Sequence, residues 1–202
     1  MAKARPITGL DPLAPTGRNA RIMVRERLAD MYSYASYAAS PDNIQGLHDL
    51  RIAAKRVRYT LEVFEDFLPE TSKAFVEELA RLQDELGALH DSEVMLALLR
   101  LSLHETIGEK PEMPRSTNRK ALLSPEMASA ILEPAHVSTL SAKGRQGLTS
   151  FLRKQEQRRV QAYEAFRQHW QELEQRHFRE ELLAMLEQNG ADGEGSDTSS
   201  SQ

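Results

Sequence analysis

The chain has 202 residues, 40% of them apolar and 28% charged, which is room for one sizeable core or two small ones. It has no cysteine, and this excludes disulfide scaffolds, thiol catalysis, thiolate zinc sites and cysteine-ligated iron–sulfur clusters together. No run approaches the roughly 20 apolar residues of a membrane span, and the N-terminus lacks the apolar core of a secretory signal, so a cytoplasmic location without membrane contact is expected.

The formal net charge of -4 conceals a strong segregation. Bases predominate up to Ser40, in the short run Arg51, Lys55, Arg56, Arg58, and again from Lys143 to Arg159, where Glu156 is the one acid. Between Glu62 and Glu93 ten acids face only Lys73 and Arg81. Opposed blocks of this kind either pair inside a helical bundle or polarise its surface.

Pro6, Gly9, Pro12, Pro15 and Gly17 leave no room for a helix in residues 1–17, which read as a flexible arm. A first helix is expected over 18–40, with Ile22, Val24, Leu28, Met31, Tyr34 and Tyr37 on its packed side and Pro41 as its stop. The second is the clearest. Asp42 or Asn43 can cap it, and Leu47, Leu50, Ala54, Val57, Leu61, Phe64 and Leu68 alternate by three and four residues up to Pro69. Ile52, Tyr59 and Val63 widen that stripe and predict a second packing neighbour. A third helix starts at Thr71 or Ser72, carries Phe75, Leu79, Leu82, Leu86, Leu89, Leu96 and Leu99, and ends near Glu105. The short link makes it an antiparallel neighbour of the second.

Periodicity fades across 108–146, which reads as a loop-rich insertion with a short helix after Ser124. The last helix spans 146–188 before Asn189 and Gly190, and at about 65 Å it is long enough to predict a break, placed in the polar stretch Gln171 to His177. Residues 190–202, rich in Gly, Ser and acid, read as a disordered tail. The expected fold is all-α, an antiparallel four-helix bundle with long helices over 18–189.

On the second helix His48, Arg51, Lys55, Arg58 and Glu62 recur by three and four residues, one position beside the apolar seam, and therefore form a column along its flank. Like charges at this spacing repel by a few tenths of a kcal/mol per pair, so something negative is expected opposite. One candidate is internal: Glu85, Asp91 or Glu93. The other is a phosphate-rich ligand, for which Arg supplies a bidentate fork and Lys a mobile point charge. Arg21, Arg25, Arg153, Lys154, Arg158 and Arg159 could line the same groove. His48 and His90 each precede an aspartate, but Ile52 and Val94 occupy their i+4 positions, so neither starts a His-x-x-x-His chelate and no metal or other cofactor is expected. No phosphate-binding Gly loop, nucleophile elbow or paired-carboxylate signature marks an enzyme.

The run from Leu47-His48-Asp49-Leu50-Arg51 through Lys55-Arg56-Val57-Arg58-Tyr59 resembles the signature helix of the conserved histidine α-helical domain (CHAD) family. Leu82-Gln83-Asp84-Glu85-Leu86-Gly87, continuing to His90-Asp91, is similar to its second motif. The resemblance runs from about Arg18 to Leu186. It implies an all-helical domain, commonly of two similar halves around a basic channel, that binds inorganic polyphosphate and associates with polyphosphate granules. Carried over by motif position, His48, Arg51, Lys55, Arg56 and Arg58 form the phosphate-facing set, with Arg21, Arg25, Arg153, Lys154, Arg158 and Arg159 as further contributors read from charge and periodicity. Only one signature helix is present, so the chain resembles one half of the usual domain, and a homodimer could rebuild the channel.

The leading expectation is non-catalytic binding of inorganic polyphosphate or another polyanion, in a storage, targeting or scaffolding role. Nucleic-acid binding through the same stripe is an alternative that lacks interleaved aromatics for stacking. A structural adaptor bundle, with the column bridged to the third helix, is the other. An enzyme acting on phosphoanhydrides is more remote, because no metal-binding carboxylate set accompanies the groove.

Overall fold

The computed structural model describes residues 4–107 and 141–188. Every regular element among them is helical: α1 (Thr16–Tyr32), α2 (Ile44–Val63), α3 (Ser72–Ile107), α4 (Ala142–Gln175) and α5 (Phe178–Gln188), with 3-10 turns at Ala35–Ala39 and Glu65–Phe67. The all-α expectation holds, with five α-helices in place of four. None of them is long and apolar enough to cross a membrane. The insertion expected at 108–146 lies outside the described residues up to 140, as do the expected helix after Ser124 and the acidic tail from 190. The chain divides into two compact units, one containing residues 2–86 and 165–202 and the other 87–164, so the division falls within both long helices.

The core of the first unit begins with the pairing of α1 and α2. Ala20, Val24, Leu28 and Met31 of α1, and Leu47, Leu50, Ala53, Ala54, Val57 and Leu61 of α2, are all buried, at the three- and four-residue spacing of one helical face. Leu79, Leu82 and Leu86 of α3 and Leu182, Met185 and Leu186 of α5 complete the aliphatic set. Aromatic rings fill the remaining space. Trp170 lies 5.8 Å from the Tyr32 ring, and Phe178 meets Phe75 edge-on at 5.4 Å.

Local chemistry sets the helix ends. The arm is fastened to α1: the Asn19 side chain accepts from the Asp11 N–H and donates to the Asp11 carbonyl, at 3.1 and 2.7 Å. This lets α1 start at Thr16, two residues earlier than expected, behind Pro15. Asn43 caps α2, its side-chain oxygen accepting from the Gly46 N–H at 2.9 Å.

The expected first helix divides, because α1 stops at Tyr32 and the chain tightens into the 3-10 turn that carries Tyr37. A Cβ at Gly46 would fall 2.4 Å from the Tyr37 ring, so the missing side chain is what lets that ring lie against α2. The expected break in the last helix falls at Arg176 and His177, with His177 at φ 56°, the left-handed region that ends helices.

The second unit is described by itself. Leu89, Leu96 and Leu99 of α3 are buried, and Gln155 of α4 is a buried polar residue. Ion pairs from Arg159 to Glu93 and from Arg100 to Glu156, the latter at 3.2 Å, fix an antiparallel register, since the partner number falls as the α3 number rises. Phe151 and Val160, apolar residues of the last helix, are exposed.

Gly46→Ala should destabilise the protein despite a helix-propensity gain of about 1 kcal/mol, because displacing the Tyr37 ring carries an overpacking cost of about 1–3 kcal/mol. The chemical-denaturation midpoint checks this, and a Gly46→Ala, Tyr37→Ala double variant should recover part of the loss.

Candidate functional site

The basic column lies on α2 as its periodicity requires. His48, Arg51 and Arg58 are half-buried and Lys55 is exposed. At 1.5 Å per residue, four basic groups are spread over about 15 Å, roughly one every 5 Å. The half-burial follows from their position on the flank of the buried seam, where long stems cover apolar neighbours while the charged ends reach water.

Two contacts order this column. Tyr59, which the pattern assigned to packing, is 44% exposed and offers its ring to two cations: Lys55 Nζ lies 5.2 Å and Arg58 Cζ 5.0 Å from its centroid. Such contacts are worth about 0.5–1 kcal/mol at exposed sites, enough to offset like-charge repulsion along the helix. Arg58 also reaches Glu62 one turn on at 3.4 Å. Val63, the other residue expected to widen the apolar stripe, is 72% exposed.

Two of the three acids expected opposite the column are engaged elsewhere. Glu85 binds Arg81 and His169, and Glu93 binds Arg159. Among the described residues neither Arg51 nor Lys55 makes an ion pair. At His48, burial pushes the pKa below its ordinary value, Asp49 opposes the shift and Arg51 adds to it. The imidazole is therefore neutral at pH 7.

The other basic candidates have different surroundings. Arg56 follows Lys55 and so points about 100° away round the helix. There its guanidinium lies 3.5 Å from Asp30 of α1, a buried carboxylate that Arg5 of the arm also approaches at 3.5 Å. Arg27 donates to the Arg5 carbonyl at 2.9 Å, so the arm is tied to α1 at this point as well. Arg21 is half-buried on α1, and Arg25, one residue beyond the core position Val24, pairs with Glu187 of α5 at 3.4 Å. Arg153, Lys154 and Arg158 form an exposed basic run on α4 in the second unit, where Arg159 is drawn in by Glu93.

One charged cluster escaped sequence reasoning altogether. His169 of α4 is 1% exposed and sits between Glu78 and Glu85 of α3, its Nε2 and Nδ1 at 2.9 and 2.8 Å from their carboxylate oxygens. Arg176 adds a bond to Glu78 at 3.1 Å. A cavity of about 320 Å³ beside this cluster is lined by Phe75, Glu77, Glu78, Arg81 and Arg176. The signal existed as matching seven-residue separations, Glu78 to Glu85 and His169 to Arg176, but it becomes readable only when α3 and α4 are known to be antiparallel. Among the described residues no set of three or more His, Asp or Glu is placed to hold a metal ion.

These features define an all-helical module whose second helix displays a His-x-x-Arg-x-x-x-Lys column. The family model described as CHAD domain matches residues 2–100, and over that segment the chain belongs to the CHAD family. Such domains are non-catalytic. The match takes in α1, α2 and most of α3, whereas the motif-based resemblance was expected to continue to about Leu186. No curated protein and no solved structure matches the chain.

Asp30→Asn should cost about 1–3 kcal/mol, since a buried acceptor loses the charge that holds two guanidinium groups. Faster hydrogen exchange of residues 4–10, together with a lower denaturation midpoint, is the expected readout.

Proposed function

We propose that the protein binds inorganic polyphosphate along the α2 column, with His48, Arg51, Lys55 and Arg58 as the principal contacts. The observation that carries this reading is the column itself: regularly spaced basic groups in which Arg51 and Lys55 have no ion-pair partner among the described residues, while Glu85 and Glu93 are committed elsewhere. A polymer with a charge on every unit engages such a stripe along its length, whereas a mono- or diphosphate reaches only part of it. Arg fits phosphate oxygens with a planar fork, and Lys follows them as a mobile charge.

Arg153, Lys154 and Arg158 would offer a cationic patch of the second unit to polyphosphate, Arg21 would add a cation on α1, and Arg25, Arg56 and Arg159 would contribute by releasing their present carboxylate partners. The role is storage, targeting or scaffolding in the cytoplasm, with polyphosphate granules as the natural setting. Because one signature helix is present, pairing of two copies would double the cationic surface. Tyr59 is the one aromatic residue on α2 and a poor platform for successive bases, which ranks single-stranded nucleic acid below polyphosphate.

Binding of defined-length polyphosphate at two salt concentrations, with light scattering for mass, tests this reading. Affinity should fall steeply with salt, and replacing Arg51, Lys55 and Arg58 by Gln should reduce the log–log slope by roughly one unit per cation removed. The Gln variant should keep or raise its melting temperature, since like-charge repulsion is relieved. Absence of binding at low salt would overturn the proposal, and preferential binding of single-stranded RNA at matched phosphate concentration would replace it with the nucleic-acid reading.

The depressed pKa of His48 has a further consequence. A bound polyanion favours the imidazolium, so binding takes up a proton and affinity should rise as pH falls from 7.5 towards about 5.5, a range bracketing ordinary imidazole titration. Isothermal titration calorimetry in buffers of different ionisation enthalpy measures that uptake, and His48→Gln should diminish it.

A further inference from the structure

The cluster around His169 has a geometry that the anion-binding column does not use. The ring lies inside the first unit, and each nitrogen faces a different carboxylate, Nε2 that of Glu78 and Nδ1 that of Glu85. An ionised carboxylate only accepts hydrogen bonds, so serving both at once requires a proton on each ring nitrogen. The neighbours balance that charge. Arg81 lies 3.3 Å from Glu85, while Arg176 reaches Glu78 at 3.1 Å and Glu181 of α5 at 3.7 Å. Three carboxylates thus meet two guanidinium groups and the ring, and the set is neutral only when the ring is cationic.

We propose that Glu78–His169–Glu85 is a proton-operated clamp: the doubly protonated ring pins α4 to α3, and loss of one ring proton releases a carboxylate and loosens residues 165–188. With a neutral ring, one nitrogen lone pair would face a carboxylate oxygen across less than 3 Å, leaving the donor requirement unmet. The one remaining ring N–H and Arg176 then tie α3 to this end of α4, and Arg176 immediately precedes the left-handed turn at His177 from which α5 departs. The consequence therefore extends beyond the ring to the packing of α5.

The charged and titratable groups around the clamp are Glu77, Glu78, Arg81 and Glu85 on α3, Arg176 just past the end of α4 and Glu181 on α5. On α1 the neighbour is Tyr32, against the adjoining Trp170; burial first and Glu180 next push its phenol up to about 12, so it stays neutral. Burial works to raise the pKa of Glu78, but hydrogen bonds from His169 and Arg176 outweigh it, and the carboxyl is held below its ordinary value. Its stabilising contribution is thus complete above the unfolded-state pKa and is lost as pH falls through the lower folded-state value. Deprotonation of the ring would limit the clamp on the alkaline side.

The test uses the full chain without ligand, so its outcome is independent of polyphosphate binding. NMR of the imidazole nitrogens and hydrogen exchange of 165–188, corrected for intrinsic exchange, are measured from about pH 6 to about pH 9. Both nitrogens should be protonated at the acid end, and on ring deprotonation the protection of 165–188 should fall about tenfold or more, as expected for loss of a charge-assisted hydrogen bond. In Glu85→Gln the carboxamide N–H can donate to a neutral ring, so protection should become nearly independent of pH across this range. A singly protonated ring at maximal protection, or protection that persists after the wild-type ring deprotonates, would overturn the proposal. If Glu85→Gln does not fold, these two wild-type readouts still decide it.

Discussion

The charge arrangement of this protein depends on where the carboxylates of α3 are spent. In the first unit Glu78 and Glu85 turn to His169 of α4 and Arg176 just past its end, and in the second Glu93 turns to Arg159. Each pairing satisfies a partly buried acid whose isolation would be costly, and the seven-residue separation of the partners matches two helical turns on each side. The α2 column must then tolerate its own repulsion. It does so through the Tyr59 ring and Glu62, with Lys55 exposed to solvent.

Two kinds of basic residue result. Arg56 and Arg159 are held by acids with little exposure, and their departure would leave Asp30 or Glu93 short of a partner. Arg51 and Lys55 carry no such obligation, and Arg58 has only an intrahelical contact to a partly exposed acid. A count of positive charges treats all of these alike, although only the first kind bridges two helices. Distance in sequence is a poor guide to this distinction, since Lys55 and Arg56 are adjacent.

The helices were legible for a simple reason. The three-and-four spacing of Leu47, Leu50, Ala54, Val57 and Leu61 follows from helical geometry, as does the column of His48, Arg51, Lys55 and Arg58 one position beside it. Caps and breakers are similarly local: Asn43 before α2, Pro69 after it, and a polar stretch where the last helix breaks at His177. The departures fall where a side-chain contact prevailed over the apolar pattern. The chain leaves the α-helix after Tyr32 so that Tyr37 can lie on Gly46, and Tyr59 is held at the surface by two cations where periodicity assigned it to packing.

The sequence by itself determined an all-helical chain, the position of its signature motif and the order of cations along one helix face, because all three depend on neighbours within about four residues. Only the tertiary structure decided which acid meets which base. Glu85 could have been assigned to the α2 column as readily as to His169, and the choice rests on the antiparallel register of α3 and α4. Burial of His169 is of the same kind: a histidine between Gln168 and Trp170 carries no local mark, and it acquires two carboxylates only when residues 84 and 91 positions away are folded against it.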